Sequence, residues 1–334
     1  MSSRVLGVSG SPIPDSNTDR VVKTVLRATG LETDFVKLSD LDLHPCKACL
    51  ACARTNVCSG YEDGWRELSA KVVRADAFVV GGWMPFGILD AHTKMFLERT
   101  FCLRHSVLLN AGKVGVAVIT GTVDPRPAAD DVLEYFSSEG VTPLGSVLAS
   151  GIDPCWSCGL GEVCVQGGTL PMVLSGYQVY NYPYADRLPS LDDFKIVPEL
   201  VPPPVEEQPR VLAEAARLGA LIAEELERRA ERRRVVLEEA VPGAVSMSGV
   251  ARLGALTERS GTLGWVSDDA LRKKLTRLAA SAARHDEEGR SSRAVADLLA
   301  FGRAALLRGI EETDSTGIEL LVAEARRAII DCYE

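Results

Sequence analysis

Four cysteines crowd one short segment, Cys46-Lys47-Ala48-Cys49-Leu50-Ala51-Cys52-Ala53-Arg54-Thr55-Asn56-Val57-Cys58, at C-x2-C-x2-C-x5-C spacing. Thiolates are soft ligands, and four on one loop can close on a small inorganic centre without help from the rest of a fold. A structural zinc site usually draws two C-x2-C pairs from separate knuckles. Three cysteines, each three residues from the last, follow the ferredoxin habit instead. The spacing within loop 44–60 therefore favours a [4Fe–4S] cluster on Cys46, Cys49, Cys52 and Cys58, with zinc or unliganded thiols as the alternatives. A second group, Cys155, Cys158 and Cys164, lies in loop 153–168 at C-x2-C-x5-C spacing and is one ligand short of a closed site. Its missing ligand could be His92, Asp153, another cysteine, a residue of another subunit or an exogenous molecule. A second metal centre with an open position, a redox-active C-x2-C pair and thiols without a partner all stay open for it. Cys102, placed within a helix, and Cys332 read as packing residues.

A different chemistry is offered near the N-terminus. The apolar run Arg4 to Ser9 ends in Gly10-Ser11-Pro12, and Asp15-Ser16-Asn17-Thr18 precedes apolar residues at helical spacing, Val21, Val22, Val25 and Leu26. Strand, polar loop and helix in that order leave backbone N–H groups at a helix N-terminus, a place for an anion such as phosphate. Neither G-x-G-x-x-G nor G-x-x-x-x-G-K-[ST] is present. Ser9, Ser11, Ser16, Asn17 and Thr18 are neutral donors, and a phosphate held without Lys or Arg suits FMN better than ATP. The alternative is an ordinary N-cap, Ser16 or Asn17.

The elements that would position these residues alternate regularly. Strands are expected at Arg4–Ser9, Thr33–Leu38, Ala75–Gly82, Gly112–Thr120 and Val141–Ser150, with helices after the first, before the third, from Asp90 to Leu103 and from Asp130 to Ser138. The strand at 75–82 has no polar alternation, as expected when both faces are covered. The pattern describes a doubly wound parallel sheet, whose ligands gather beyond the carboxyl ends of its strands. The serine loop, the cysteine loop, the Trp83-Met84-Pro85-Phe86-Gly87 turn, the Thr120-Gly121-Thr122 turn and the segment after the fifth strand are thus expected on one rim. Residues 177–207 are rich in tyrosine and proline, and Val211 to Leu237 reads as a helix completing the sheet's second layer. Residues 243–260 read as a linker, and three helices follow Ser267. We therefore divide the chain into residues 1–235 and a helical docking or oligomerisation region, 236–334.

The chain of 334 residues is 46% apolar and carries a formal charge of −9, which suits a globular protein and argues against nucleic-acid binding. No export signal and no run of about 18 apolar residues is evident, so a cytoplasmic, non-membrane protein is expected. Its nine cysteines should then be reduced thiols or ligands. No Ser-His-Asp set or paired carboxylates support hydrolysis.

Together, Gly10-Ser11-Pro12 with Ser16-Asn17-Thr18, the aromatic-proline-glycine turn and the compact cysteine loop resemble the iron–sulfur flavoproteins of the NADPH-dependent FMN reductase superfamily, over about residues 1–230. The resemblance implies a flavodoxin-like five-stranded sheet of order 2-1-3-4-5 with a C-terminal helical extension, FMN and a [4Fe–4S] cluster as cofactors, and a homo-oligomer, dimer or tetramer, that passes electrons. It implies that the serine loop takes the FMN phosphate, and that Trp83 to Gly87 and Thr120 to Thr122 border the ribityl chain and isoalloxazine. The family's turn reads Pro-x-Tyr-x-Gly, and here Pro85 stands where the tyrosine would fall. Trp83 or Phe86 would then supply the aromatic face. The function implied is electron transfer between an NAD(P)H-type donor or organic substrate and a one-electron acceptor, with small molecules or proteins as redox partners. The rivals are a flavin or quinone reductase with a structural zinc loop, and a non-catalytic electron carrier or redox sensor.

Overall fold

A computed structural model describes residues 3–121, 124–151, 204–309 and 315–332. Thr122, the whole of the second cysteine loop and most of the tyrosine- and proline-rich segment lie outside the described residues.

Val5, Leu6 and Val8 are buried on both faces of β1 (Arg4–Ser9), and β3 (Ala77–Trp83) and β4 (Val114–Gly121) are as apolar. Such strands need helices above and below. With β2 (Glu32–Lys37) and β5 (Thr142–Ser150) they form one sheet of order β2-β1-β3-β4-β5, every neighbouring pair parallel. This is the flavodoxin-like order expected from the sequence.

On one face, α1 (Asn17–Thr29) and α5 (Pro209–Ala240) bury Val22, Val25, Leu218 and Ile222 against Val5, Val79 and Val118. A Cβ on Gly219 would run into the Val25 carbonyl, so the glycine sets how closely α5 approaches α1. On the other face, α2 (Trp65–Arg74), α3 (Ala91–Arg99) and α4 (Arg126–Ser138) place Trp65, Phe96 and Phe136 over Leu6, Val80 and Ile119. The helix expected over Asp90–Leu103 stops at Arg99, and a tighter 3-10 turn, Thr100–Leu103, follows.

The stretch read as a linker is instead α6 (Gly249–Arg259). Ser248 caps it by accepting a hydrogen bond from Ala251 N, and Val250, Leu253 and Leu256 are buried. Two weak helix formers, Gly249 and Gly254, masked that period in the sequence. Then follow α7 (Asp269–Glu287), α8 (Ser291–Gly309) and α9 (Ser315–Asp331). Their Leu271, Leu298 and Leu321 join the apolar cluster that lies beneath α2 to α4. Buried Glu324 accepts from both Arg233 and Arg252, tying α9 to α5 and α6. The arginine run 228–234 lies inside α5, where Glu225, Glu231 and Glu324 pair with it. Among the described residues, no helix is long and apolar enough to cross a membrane.

Candidate functional site

The carboxyl ends of β1, β3, β4 and β5 do converge. Gly10 N donates to Gly81 O at 2.9 Å, Met84 N to Thr120 O at 3.1 Å, and Gly151 N to Gly121 O at 3.0 Å. Thr18 and Thr120 share a hydroxyl hydrogen bond of 2.7 Å, and the Asn17 amide donates to Ser150 O at 3.1 Å. Gly10, Asn17, Thr18, Gly81, Thr120 and Gly121 are in this way brought to one rim. A Cβ on Gly10 would collide with Thr93 Oγ1 and Asp90 Oδ1, so only glycine lets the end of β1 touch the start of α3. Asp90 caps that helix, accepting from Thr93 N at 2.8 Å and from Trp83 N at 3.0 Å. Burial pushes its carboxyl upward, against the pull of those donors.

Ser16 is the N-cap of α1 in a reciprocal box: its hydroxyl accepts from Asp19 N at 3.1 Å, and its own N–H reaches Asp19 Oδ2 at 3.3 Å. The ordinary-cap reading is thus realised, and it coexists with a helix N-terminus facing the rim. Ser9 donates to Asp19 Oδ1 at 2.5 Å, and Ser11 Oγ accepts from Ile13 N at 3.3 Å. Sequence reasoning missed the cations here. Lys37, at the end of β2, pairs with buried Asp19 at 2.7 Å and donates to Ile13 O at 2.8 Å. Arg20 stands beside Asn17 and pairs with Glu206 at 3.1 Å. Asp19 cancels Lys37 directly, so the loop keeps a nearly neutral donor set despite the lysine.

Trp83 closes β3 with its indole N–H buried and unpartnered among the described residues. A buried donor without an acceptor is costly unless something else supplies one. The turn Pro85–Gly87 follows, with Gly87 at φ 80°. An orphaned donor, a glycine cradle and a helix N-terminus at strand ends suit a flat, phosphate-bearing cofactor.

The cysteine loop is a second place with its own construction. Ala48, Leu50 and Asn56 take left-handed backbone, φ 53°, 56° and 54°, which non-glycine residues hold only when their surroundings enforce it. Asn56 enforces part of this: its amide donates to Val107 O at 2.7 Å and accepts from Ser106 N at 2.8 Å. Ser106 in turn takes a hydrogen bond from Arg303 of α8 at 3.0 Å, so the helical extension braces the loop from behind.

Cys46, Cys49, Cys52 and Cys58 line one cavity, with Arg99 and Cys102 in its wall. Gly60 has no side chain there, and a Cβ would fall 3.4 Å from Cys49 Sγ and 3.9 Å from Cys58 Sγ. Among the described residues, no three His, Cys, Asp or Glu groups converge tightly enough to hold a single metal ion. Four cysteines lining one cavity at ferredoxin-like spacing are the donor set that a [4Fe–4S] cluster would use. Burial pushes the Cys52 thiol up, so a metal would be needed to hold it as thiolate.

A buried charge of this site is one the sequence did not reveal. Arg99, at the end of α3, is 2% exposed. It makes a two-pronged pair with Asp63 at 2.5 and 3.0 Å, donates to His44 O at 2.7 Å and points Nη2 at Cys58 Sγ, 3.6 Å away. Burial would raise the Asp63 carboxyl, but the Arg99 hydrogen bond and two backbone N–H donors bring it down to about 2. Cys102 is not in a helix but in the 3-10 turn beyond Arg99, and burial pushes its thiol up to about 12. The single shared rim expected earlier needs correction. The cysteine loop leaves the rim after β2, but its cavity is walled by the far end of α3, nine residues and about 13 Å of helix from the rim at Asp90.

Residues 3–150 match the family model described as NADPH-dependent FMN reductase. An iron–sulfur flavoprotein of Methanocaldococcus jannaschii is 37% identical over 121 residues, 35% of this chain and 62% of that protein. One of Methanosarcina thermophila is 31% identical over 121 residues, 35% of this chain and 63% of that protein. The chain thus spans less than two thirds of the length of these relatives. A solved flavodoxin from the domain Archaea is 13% identical with a TM-score of 0.36, covering 67% of this chain and 99% of that one.

Proposed function

We propose, from the match of residues 3–150 to the NADPH-dependent FMN reductase family model and their similarity to iron–sulfur flavoproteins, that this chain is an FMN- and [4Fe–4S]-containing oxidoreductase of that kind. It would move electrons between a two-electron donor of the NAD(P)H type and a one-electron acceptor. Bound FMN supplies the exchange between paired and single electrons, and the cluster supplies one-electron transfer. The observation that supports the reading is the cysteine cavity: four cysteines in its lining and a buried guanidinium hydrogen-bonded to one of their sulfurs.

The protein's own groups have distinct tasks in this reading. Cys46, Cys49, Cys52 and Cys58 hold the cluster, and Asn56 and Gly60 shape the loop around it. Lys47 donates to Gly60 O at 2.7 Å and lies over the Tyr61 ring at 4.4 Å, which folds the loop over its own cavity. At the rim, Ser16 and Asp19 fix the first turn of α1, the Gly10–Asp90 seam fixes the floor, and Trp83 offers its N–H. A structural zinc is the weaker alternative, since three of the cysteines fall at the C-x2-C-x2-C spacing of ferredoxins rather than in two separate C-x2-C pairs.

Anaerobic stopped-flow spectroscopy with NADPH and NADH tests the activity. Flavin bleaching within the turnover time, with steady reduction of a one-electron dye, is the expected result. A flavin that stays oxidised with both nucleotides, yet is reduced by a one-electron carrier, would instead make the chain a carrier or sensor.

A further inference from the structure

Arg99 is an unusual neighbour for a metal-binding cysteine. Its guanidinium is buried, it donates to Cys58 Sγ at 3.6 Å, a normal length for the large sulfur atom, and it is held there by Asp63 on two prongs and by the His44 carbonyl. Tyr61 and Trp65 stack near it, with the Arg99 carbon 5.5 and 5.2 Å from their ring centres, and shield it from water. His44 contacts Asp63, Nδ1 to Oδ2 3.5 Å, and Lys47, also in the cavity wall, donates its ammonium N–H to Gly60 O. Arg99 is therefore a cation hydrogen-bonded to one of the four sulfurs, and the Asp63 carboxylate stands directly behind it.

We propose that the Arg99–Asp63 pair sets the reduction potential of the centre held by the cysteine loop, Arg99 raising it through the N–H···S bond and its charge, and Asp63 holding that effect in check. This rests on the cluster reading given above. Reduction adds one electron from the reductant and makes or breaks no bond, so the site gains one negative charge. A cation and a donor to sulfur, in a buried place where charges are weakly screened, favour that added charge. The Asp63 carboxylate opposes it from one residue further back. A scaffold role predicts something different. If the pair merely held the loop, removing either partner would loosen the loop in the same way and shift any property in the same direction.

The test is a dye-mediated redox titration of anaerobically purified protein followed by electron paramagnetic resonance, with iron and acid-labile sulfide counted on every sample. Arg99→Gln should keep its iron and favour the oxidised centre about tenfold, a fall of about 59 mV for one electron. Asp63→Asn should move the potential the opposite way, and Arg99→Lys, which keeps the charge, should recover most of the lost potential. Shifts of the same sign in Arg99→Gln and Asp63→Asn, or no shift in either, overturn the proposal. If Arg99→Gln assembles no cluster, Asp63→Asn decides alone: a rise upholds the assignment, and a fall or an unchanged potential refutes it. Wild-type protein free of iron and sulfide would overturn the cluster reading itself and the proposal with it, a failure distinct from a cluster whose potential ignores both variants.

Discussion

At the rim, most polar side chains are already bonded within the protein, Ser9 with Asp19, Asp19 with Lys37, Thr18 with Thr120 and Asn17 with the Ser150 carbonyl, and the Trp83 indole N–H is a donor left over among the described residues. At the cysteine cavity, Asn56, Asp63 and Arg99 are bonded to backbone and to each other, while four cysteines line a common space. The difference separates two ways of making a site. The rim is a property of where strands and a helix end, and side chains there brace the backbone. The cysteine loop is short, irregular and partly left-handed, and its chemistry depends on a few side chains. Each should therefore break in its own way.

The largest expected effect is at the loop. Cys52→Ala should abolish cluster assembly, leaving iron and sulfide near background while bound flavin is unchanged; loss of both cofactors together would show that the two places are one unit. The mirror experiment is Gly10→Ala. Its added methyl must displace Asp90 or Thr93, and overpacking of this kind costs about 1–3 kcal/mol. Flavin affinity should fall at least about tenfold, read by fluorescence titration, with iron content retained.

A smaller effect separates the two by pH. Asp63 has a folded pKa of about 2 against an ordinary value of 3.8. A depressed carboxylate pKa stabilises the fold fully above about pH 4 and loses that contribution as pH falls toward 2. Asp63→Asn should accordingly be less stable than wild type by about 2 kcal/mol at neutral pH, with the gap closing between pH 4 and 2 in urea titrations. A gap that persists unchanged at pH 2 would mean that the ion pair is not its source. The smallest effect is at the rim: Ser16→Ala removes one cap bond from α1 and should cost about 1 kcal/mol in the same assay, with iron content untouched.

Much of this plan was readable beforehand because it is local. The five strands, the cap at Ser16 and the cysteine spacing each depend on neighbours within a few positions. Arg99 is the instructive omission. It sits 36 positions from Asp63 and 41 from Cys58, and as one arginine on a helix it looks like any solvated charge. Lys37 was hidden for the same reason, 18 positions from Asp19. The misread linker at 243–260 was a failure of pattern, since two glycines diluted the period of α6. Cys102 packs in the core as expected, and only the fold shows that it also reaches the wall of the cysteine cavity. The shared rim failed because strand ends say where a loop begins and not where it goes. The Phe86 side chain, Thr122 and Cys155, Cys158 and Cys164 lie outside the described residues, so their expected roles stay expectations.

The central claim is that Cys46, Cys49, Cys52 and Cys58 hold iron and sulfide in a flavin-binding protein. Iron, zinc, acid-labile sulfide and FMN counted on the anaerobically purified chain test it most directly. Iron and sulfide in equal amounts beside FMN are the predicted result; zinc without sulfide would contradict it.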